Sequence, residues 1–229
     1  MTRRAGFWGF KAASISFGDL RRVTPVSREF GFDRGDPVDR RYIEGFLAGH
    51  AADVRGRVLE VKDAAYTRRF GGERVEVSDV LDVDPTNRDA TLIDDLTTGT
   101  RLPSDAFDCV LLTQTLHLIF DVHAAARTLH RILKPGGVLL LTVPGITQIP
   151  RSESSYWYWS FSSLSAERLF HDAFVDGAVD VTSHGNVLAA TAFLYGLAGH
   201  ELRDDELDAN DPDYPVTITV RATKALRAP

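Results

Sequence analysis

The sequence predicts an α/β fold, a seven-stranded and mostly parallel sheet with helices on both faces and an antiparallel last strand. Three observations predict it. Short β-rich runs alternate with stretches of helical spacing from about residue 57 onward, the pattern of strands joined by crossover helices. The run 107–112 is apolar at nearly every position, as a strand buried on both faces must be. The closing run 216–222 alternates and is reached by a hairpin-like return, which makes it antiparallel. With 229 residues and 44% apolar content the chain can bury one full core. A single globular domain is expected, with residues 1–50 as an N-terminal arm and lid helix and 51–229 as the main body.

The elements follow in order. Residues 31–39 hold two glycines, a proline and four charged residues and read as a loop. Pro37 then opens a helix over 38–49. Residues 57–61 form a first strand, 64–70 suit a helix stopped by Gly71-Gly72, and 74–78 form a second strand. Residues 91–93 read as the third strand and 107–112 as the fourth, with a Leu-Pro-Ser-Asp loop between them. A helix over 122–133 ends at Lys134-Pro135-Gly136-Gly137, and the fifth strand, 138–143, follows at once. Beyond Pro144-Gly145 come an aromatic stretch, a helix over 164–174, a sixth strand over 178–182, a helix over 187–199, an acidic loop and the last strand.

The formal charge of −6 argues against nucleic acid or an anionic membrane as partner, because phosphate binding needs clustered Lys and Arg. A small-molecule substrate is favoured. Residues 1–41 carry nine Lys or Arg against five Asp or Glu, so a basic arm precedes an acidic body. That arm reads either as a solvated leader or as a lid over an anionic substrate. The single cysteine, Cys109, lies in an apolar run and reads as a core residue. No signal peptide is read in residues 1–17 and no run approaches transmembrane length, so a cytoplasmic location is expected. Arg outnumbers Lys 22 to 4, a composition typical of a GC-rich bacterial genome.

Phe107-Asp108-Cys109-Val110-Leu111-Leu112, then Leu116-His117, then Leu129-His130-Arg131-Ile132-Leu133-Lys134-Pro135-Gly136-Gly137-Val138-Leu139-Leu140, resembles the fourth strand, helix and fifth strand of the class I S-adenosylmethionine-dependent methyltransferases. The likeness is specific over roughly 56–145. It implies a Rossmann-like fold and S-adenosylmethionine as cofactor. Ligands of open α/β sheets sit beyond the carboxyl ends of the strands where strand order reverses, so the cofactor contacts should end strands. The resemblance assigns Glu60 and Val61 in the first strand to the methionine end, Asp79 at the end of the second strand to the ribose hydroxyls, and Asp95 with Leu96 to the adenine ring. Thr113 and Gln114 after the fourth strand join this set. For each acid the plain alternative is a helix cap or solvated loop residue, and Asp82, Asp84 and Asp94 are close by.

One feature departs from the family. Where it has a glycine-rich turn, this chain has Lys62-Asp63-Ala64-Ala65-Tyr66, although glycine serves where φ must be positive or a side chain would strike the ligand. Three readings follow: a remodelled turn in which small alanines admit the cofactor and Asp63 or Tyr66 contacts it; a pocket holding its ligand for a reaction other than methylation; or an inactive scaffold subunit.

Methyl transfer asks the enzyme to position a nucleophile and, for a hydroxyl or amine, to remove a proton. His117 after the fourth strand and His184 after the sixth are the candidate bases, each with an ordinary core or turn role as its alternative. Tyr156, Trp157 and Trp159 offer flat surfaces for a sugar or aromatic ring, or pack a cap onto the sheet. Arg34, Arg40, Arg41 and Tyr42 could contact the substrate from above. That segment resembles methyltransferase-like proteins of bacterial glycan and natural-product pathways. The expected activity is O- or N-methylation of a small metabolite, with no metal ligand set, acting alone, as a homodimer or with a partner biosynthetic protein.

Overall fold

The computed structural model describes residue 16 and residues 18–226; the reading of residues 1–17 as lacking a signal peptide therefore lies almost wholly outside the described residues. Seven strands form one sheet: β1 (Gly56–Val61), β2 (Val75–Asp82), β3 (Leu92–Ile93), β4 (Phe107–Thr113), β5 (Leu133–Pro144), β6 (Ala178–His184) and β7 (Thr217–Thr223). Their spatial order is β3-β2-β1-β4-β5-β7-β6. β7 is antiparallel to both neighbours, while β1 to β5 pair in parallel. The helices are α1 (Val38–Gly49), α2 (Val122–Ile132), α3 (Ser163–Ala173), α4 (Val187–Tyr195) and α5 (Asp204–Asp208).

Alternation along the central strands divides the core between the two faces. Cys109 and Leu111 of β4 and Val138 and Leu140 of β5 join Ile43 and Leu47 of α1. Val110 and Leu112, with Leu139 and Leu141, turn the other way onto Leu129 of α2 and Phe170 of α3. Each fully buried Leu or Phe stabilises the fold by about 1.5–3 kcal/mol relative to exposure. A third cluster joins Val38 and Tyr42 of α1 to Ala189 and Phe193 of α4. Asp121 caps α2, Ser162 caps α3 and Asn186 caps α4, each accepting backbone N–H groups that the helix leaves free.

Several boundaries differ from expectation, with physical reasons. β2 runs on to Asp82, because Val80 and Leu81 are buried and pair with β1 and β3; Asp79 thus lies inside the strand. The expected helix over 64–70 is a wide π-type turn, Thr67–Gly71, followed by a 3-10 turn, Gly72–Arg74. α4 ends at Tyr195, where Gly196 takes the left-handed conformation with φ 71°. β5 starts at Leu133, ahead of the expected run, and bends through the glycine pair. Gly136 has φ +79°, and a Cβ on Gly137 would lie 2.9 Å from the carbonyl oxygens of Lys134 and Phe107, so both positions need glycine. Within the expected acidic loop, Asp204–Asp208 forms the short α5.

Candidate active site

Strand order reverses between β1 and β4, and beyond the carboxyl ends there a cavity of about 1380 Å³ opens. A cavity of this size exceeds the usual span for one small ligand, so it has room for two.

The turn leaving β1 forms one wall. Lys62 has φ 77°, the left-handed region that glycine ordinarily fills. It is held there at both ends: its N–H donates to the Leu81 carbonyl at 2.9 Å, and its carbonyl accepts from Asn87 Nδ2 at 2.8 Å. The buried Glu60 carboxylate ties down the next turn, accepting from the N–H groups of Tyr66 at 3.1 Å and Thr67 at 2.7 Å. Burial raises the Glu60 carboxyl above its usual range, and these hydrogen bonds oppose the rise. Asp63 accepts from Ala65 N–H at 2.7 Å. Opposite, after β4, Gln114 has φ 46° and donates its N–H to the Thr142 carbonyl at 2.9 Å.

The second wall is acidic. Asp82 ends β2 and accepts from Asp84 N–H at 3.0 Å and Asn87 Nδ2 at 2.6 Å. Asn87 thereby links the carboxylate to the Lys62 turn. Beyond β3, Asp95 Oδ1 accepts from Thr97 N–H at 2.7 Å, and its Oδ2 has no protein partner among the described residues. Leu96 beside it is buried in the cavity wall. Asp94 is occupied by the N–H groups of Asp95 and Arg101.

Above, the N-terminal turn of α1 brings Asp39 and Arg40 over the opening. The Arg40 guanidinium donates to the Tyr66 hydroxyl and lies 5.5 Å from the Phe32 ring centre and 5.9 Å from that of Tyr66. Burial pushes the Asp39 carboxyl up to about 6.

The far end is aromatic. The His117 carbonyl accepts from Tyr158 N–H at 3.0 Å and Trp159 N–H at 3.2 Å, while Trp159 Nε1 donates to the Ile119 carbonyl at 2.9 Å. These clips bring the Trp157 ring to 4.2 Å from the His117 ring, tilted by 51°. His117 is only 3% exposed, and burial pushes its pKa down to about 4.

Of the residues singled out from the sequence, Glu60, Val61, Asp63, Tyr66, Asp95, Leu96, Thr113, Gln114, His117, Tyr156 and Trp157 line this one cavity. Five others do not. Asp79 is drawn into a pair with Arg57 at 2.7 Å and accepts from Thr91 Oγ1 at 2.9 Å. His184 meets Thr219 Oγ1 at 3.1 Å and stacks on Tyr42 at 5.9 Å, and Tyr42 donates its hydroxyl to the Leu207 carbonyl at 3.0 Å. Arg34 pairs with Glu201, and Trp159 faces its carbonyl acceptors. Among the other Arg candidates, Arg40 lines the cavity and Arg41 pairs with Asp208 at 2.9 Å. Sequence reasoning missed Asp39 and Phe120 and put Lys62 only in the anomalous turn; Asp82 was an alternative that the longer β2 promotes.

A sheet of this order with a cavity across its reversal point defines the class I S-adenosylmethionine-dependent methyltransferase fold. The chain belongs to the methyltransferase-domain family, whose model matches residues 28–178, and is an enzyme of that class. A search of curated protein sequences finds no match. Among solved structures, the chain is similar to an S-adenosylmethionine-dependent methyltransferase from Mesorhizobium loti, with 17% identity and a TM-score of 0.56 over 85% of this chain and 100% of that one. The N-methyltransferase NodS from Bradyrhizobium japonicum, in complex with S-adenosyl-L-homocysteine, gives 12% identity and 0.56 over 87% and 94%. The [4+2]-cyclase SpnF gives 16% and 0.54 over 82% and 81%. No helix among the described residues is long and apolar enough to cross a membrane.

Proposed function

We propose that the protein transfers a methyl group from S-adenosylmethionine to an oxygen or nitrogen of a small metabolite. The observation that carries the reading is the meeting, in one cavity at the reversal point, of Asp82 and Asp95 from neighbouring strand ends with the turn that Glu60 ties down. S-adenosylmethionine, when bound, would supply an electrophilic methyl group on a sulfonium.

The residues present suit that molecule. Asp82, which lines the cavity where Asp79 does not, would accept from the ribose hydroxyls. Asp95 offers its unpartnered Oδ2 to the adenine amino group, and Leu96 covers the ring. Glu60, Val61, Asp63, Thr113 and Gln114 would hold the methionine end, where an acidic wall favours a cationic centre. Tyr66, with Arg40 lying over it, forms a roof that α1 closes as a lid. His117, Tyr156 and Trp157 face the acceptor. So read, the enzyme works in a bacterial cytoplasm on natural-product or glycan precursors, alone, as a homodimer or beside a partner protein.

Calorimetry with S-adenosylmethionine and S-adenosylhomocysteine tests this on the wild type and on Asp95→Ala and Asp82→Ala. Micromolar binding, weakened in both variants, is expected. A folded wild type that binds neither compound removes the reading. A second reading, use of the same pocket for a reaction other than methylation, is favoured by the similarity to the cyclase. Cofactor binding with no methyl transfer to a broad acceptor panel would support it.

A further inference from the structure

Three cationic side chains line the cavity among the described residues: Arg40, Lys62 and Arg69. Arg69 pairs with Glu44 at 2.7 Å, and Lys62 is exposed, so water hydrates its ammonium. Arg40 differs from both. It is half-buried, its guanidinium lies 5.5 Å from the Phe32 ring centre and 5.9 Å from that of Tyr66, and it donates to the Tyr66 hydroxyl. Phe32 and Tyr66 line the same cavity, so the guanidinium is presented to it. Burial opposes its charge, and Tyr66, Asp39 and Glu44 outweigh burial, so the group stays charged. No carboxylate pairs with it among the described residues. A guanidinium has five donors in a planar fork, and a partly buried charge needs a partner. We propose that Arg40 binds the α-carboxylate of S-adenosylmethionine, so that helix α1, rather than the turn after β1, holds the anionic end of the cofactor.

The inference rests on the methyltransferase reading and adds to it the residue that recognises one group of the cofactor. In an open α/β sheet the turn beyond a central strand offers backbone N–H groups to the anionic part of a ligand. Here those donors are already used. The Lys62 N–H donates to the Leu81 carbonyl and the Ala65 N–H to Asp63. The N–H groups of Tyr66 and Thr67 donate to Glu60. The same acidic side chains suit an ammonium and a sulfonium and repel a carboxylate.

The carboxylate therefore needs a fixed positive group close to this turn, and Arg40 is fixed there. Its guanidinium lies over Tyr66, the residue whose N–H Glu60 holds. A guanidinium meets a carboxylate through two parallel N–H···O bonds, a geometry that an ammonium such as that of Lys62 does not offer. Arg40 stands in the first turn of α1, so the contact would also hold that helix over the bound cofactor.

The test compares S-adenosylhomocysteine with 5′-methylthioadenosine, which lacks the amino-acid group, by calorimetry on the full chain. In Arg40→Met the ratio of the first affinity to the second should fall at least about tenfold, as loss of a charge-assisted contact requires. Arg40→Lys, which keeps the charge without the fork, should recover part of that ratio. If Arg40 only packs α1, both ligands weaken alike; a ratio that falls by less than about tenfold overturns the proposal. A second measurement uses the ¹⁵N-labelled wild type, with the Arg40 Nε–H signal assigned by Arg40→Lys, and so does not depend on the folding of Arg40→Met. S-adenosylhomocysteine should shift that signal and methylthioadenosine should not. A signal unmoved by S-adenosylhomocysteine, or moved as far by methylthioadenosine, also overturns the proposal. If neither compound binds the folded wild type, the methyltransferase reading fails and takes the proposal with it. Tight binding of S-adenosylhomocysteine with an unchanged ratio removes the role of Arg40 alone.

Discussion

Arg57 Nε donates to Oδ2 of Asp79 at 2.7 Å, while Thr91 Oγ1 donates to Oδ1 at 2.9 Å. One carboxylate thus fastens β2 to β1 and to the residue preceding β3. Asp82, three residues on, faces the cavity. Asp79→Ala should lower stability by about 1–3 kcal/mol, the cost of unpairing a largely buried hydrogen-bonded group, with S-adenosylhomocysteine affinity within about twofold of the wild type. Asp82→Ala should do the reverse, weakening affinity about tenfold or more, as loss of hydrogen bonds to a charged acceptor requires. Urea denaturation and calorimetry on both variants check the pair; equal losses of affinity would reject the division of roles.

His117 and Asp39 should move stability in opposite directions with pH. The His117 pKa falls from 6.5 to about 4 through burial, so the unfolded chain binds more protons in that window. Stability linked to His117 is full above about 6.5 and is lost as pH falls towards 4. The Asp39 carboxyl rises from 3.8 to about 6, again through burial. Its stabilising protonated form is lost as pH rises through about 6. In urea titrations the wild type should lose stability relative to His117→Phe as pH falls from about 6.5 to 4. Relative to Asp39→Asn it should lose stability as pH rises from about 4 to 6. Parallel curves would contradict both assignments.

His184→Ala should cost about 0.5–2 kcal/mol, from the lost contact with Thr219 and the lost stacking on Tyr42. Its ring does not line the cavity, so S-adenosylhomocysteine binding and methyl transfer should be unchanged. A transfer rate reduced more than about tenfold in a folded His184→Ala protein would return it to the candidate bases.

The sheet was legible in the sequence because its signal is local. β4 and β5 are apolar on both faces, and the Gly136-Gly137 turn between α2 and the body of β5 permits few alternatives. The site was less legible because its residues depend on where strands stop. Ser78-Asp79 reads as the end of a strand, and it takes two partners from outside β2, Arg57 and Thr91, to make an aspartate tolerable inside it. His184 and His117 look alike in sequence, each a histidine just past a strand. Their difference arises when β7 inserts beside β6 and supplies Thr219, while Trp157 reaches His117 across forty residues of chain. Asp39 carries no local signal; its place over the cavity comes from the packing of α1 against α4.

Lys62 explains how the turn after β1 dispenses with glycine. Its φ of 77° is the conformation a glycine would adopt, and a residue with a Cβ pays about 1–2 kcal/mol to enter it. Hydrogen bonds at its N–H and carbonyl, to Leu81 and Asn87, oppose that cost, and Glu60 fixes the chain beyond. If this balance holds, Lys62→Gly should be more stable than Lys62→Ala by about 1 kcal/mol, because both lose the side chain and only the alanine keeps the strain. Asn87→Ala, which frees the Lys62 carbonyl and one contact to Asp82, should weaken S-adenosylhomocysteine binding in the lysine protein. Urea midpoints for the two Lys62 variants and calorimetry on Asn87→Ala measure the two halves of the balance. An alanine variant as stable as the glycine variant would mean that the turn is not held left-handed, and the account of the missing glycine would fail with it.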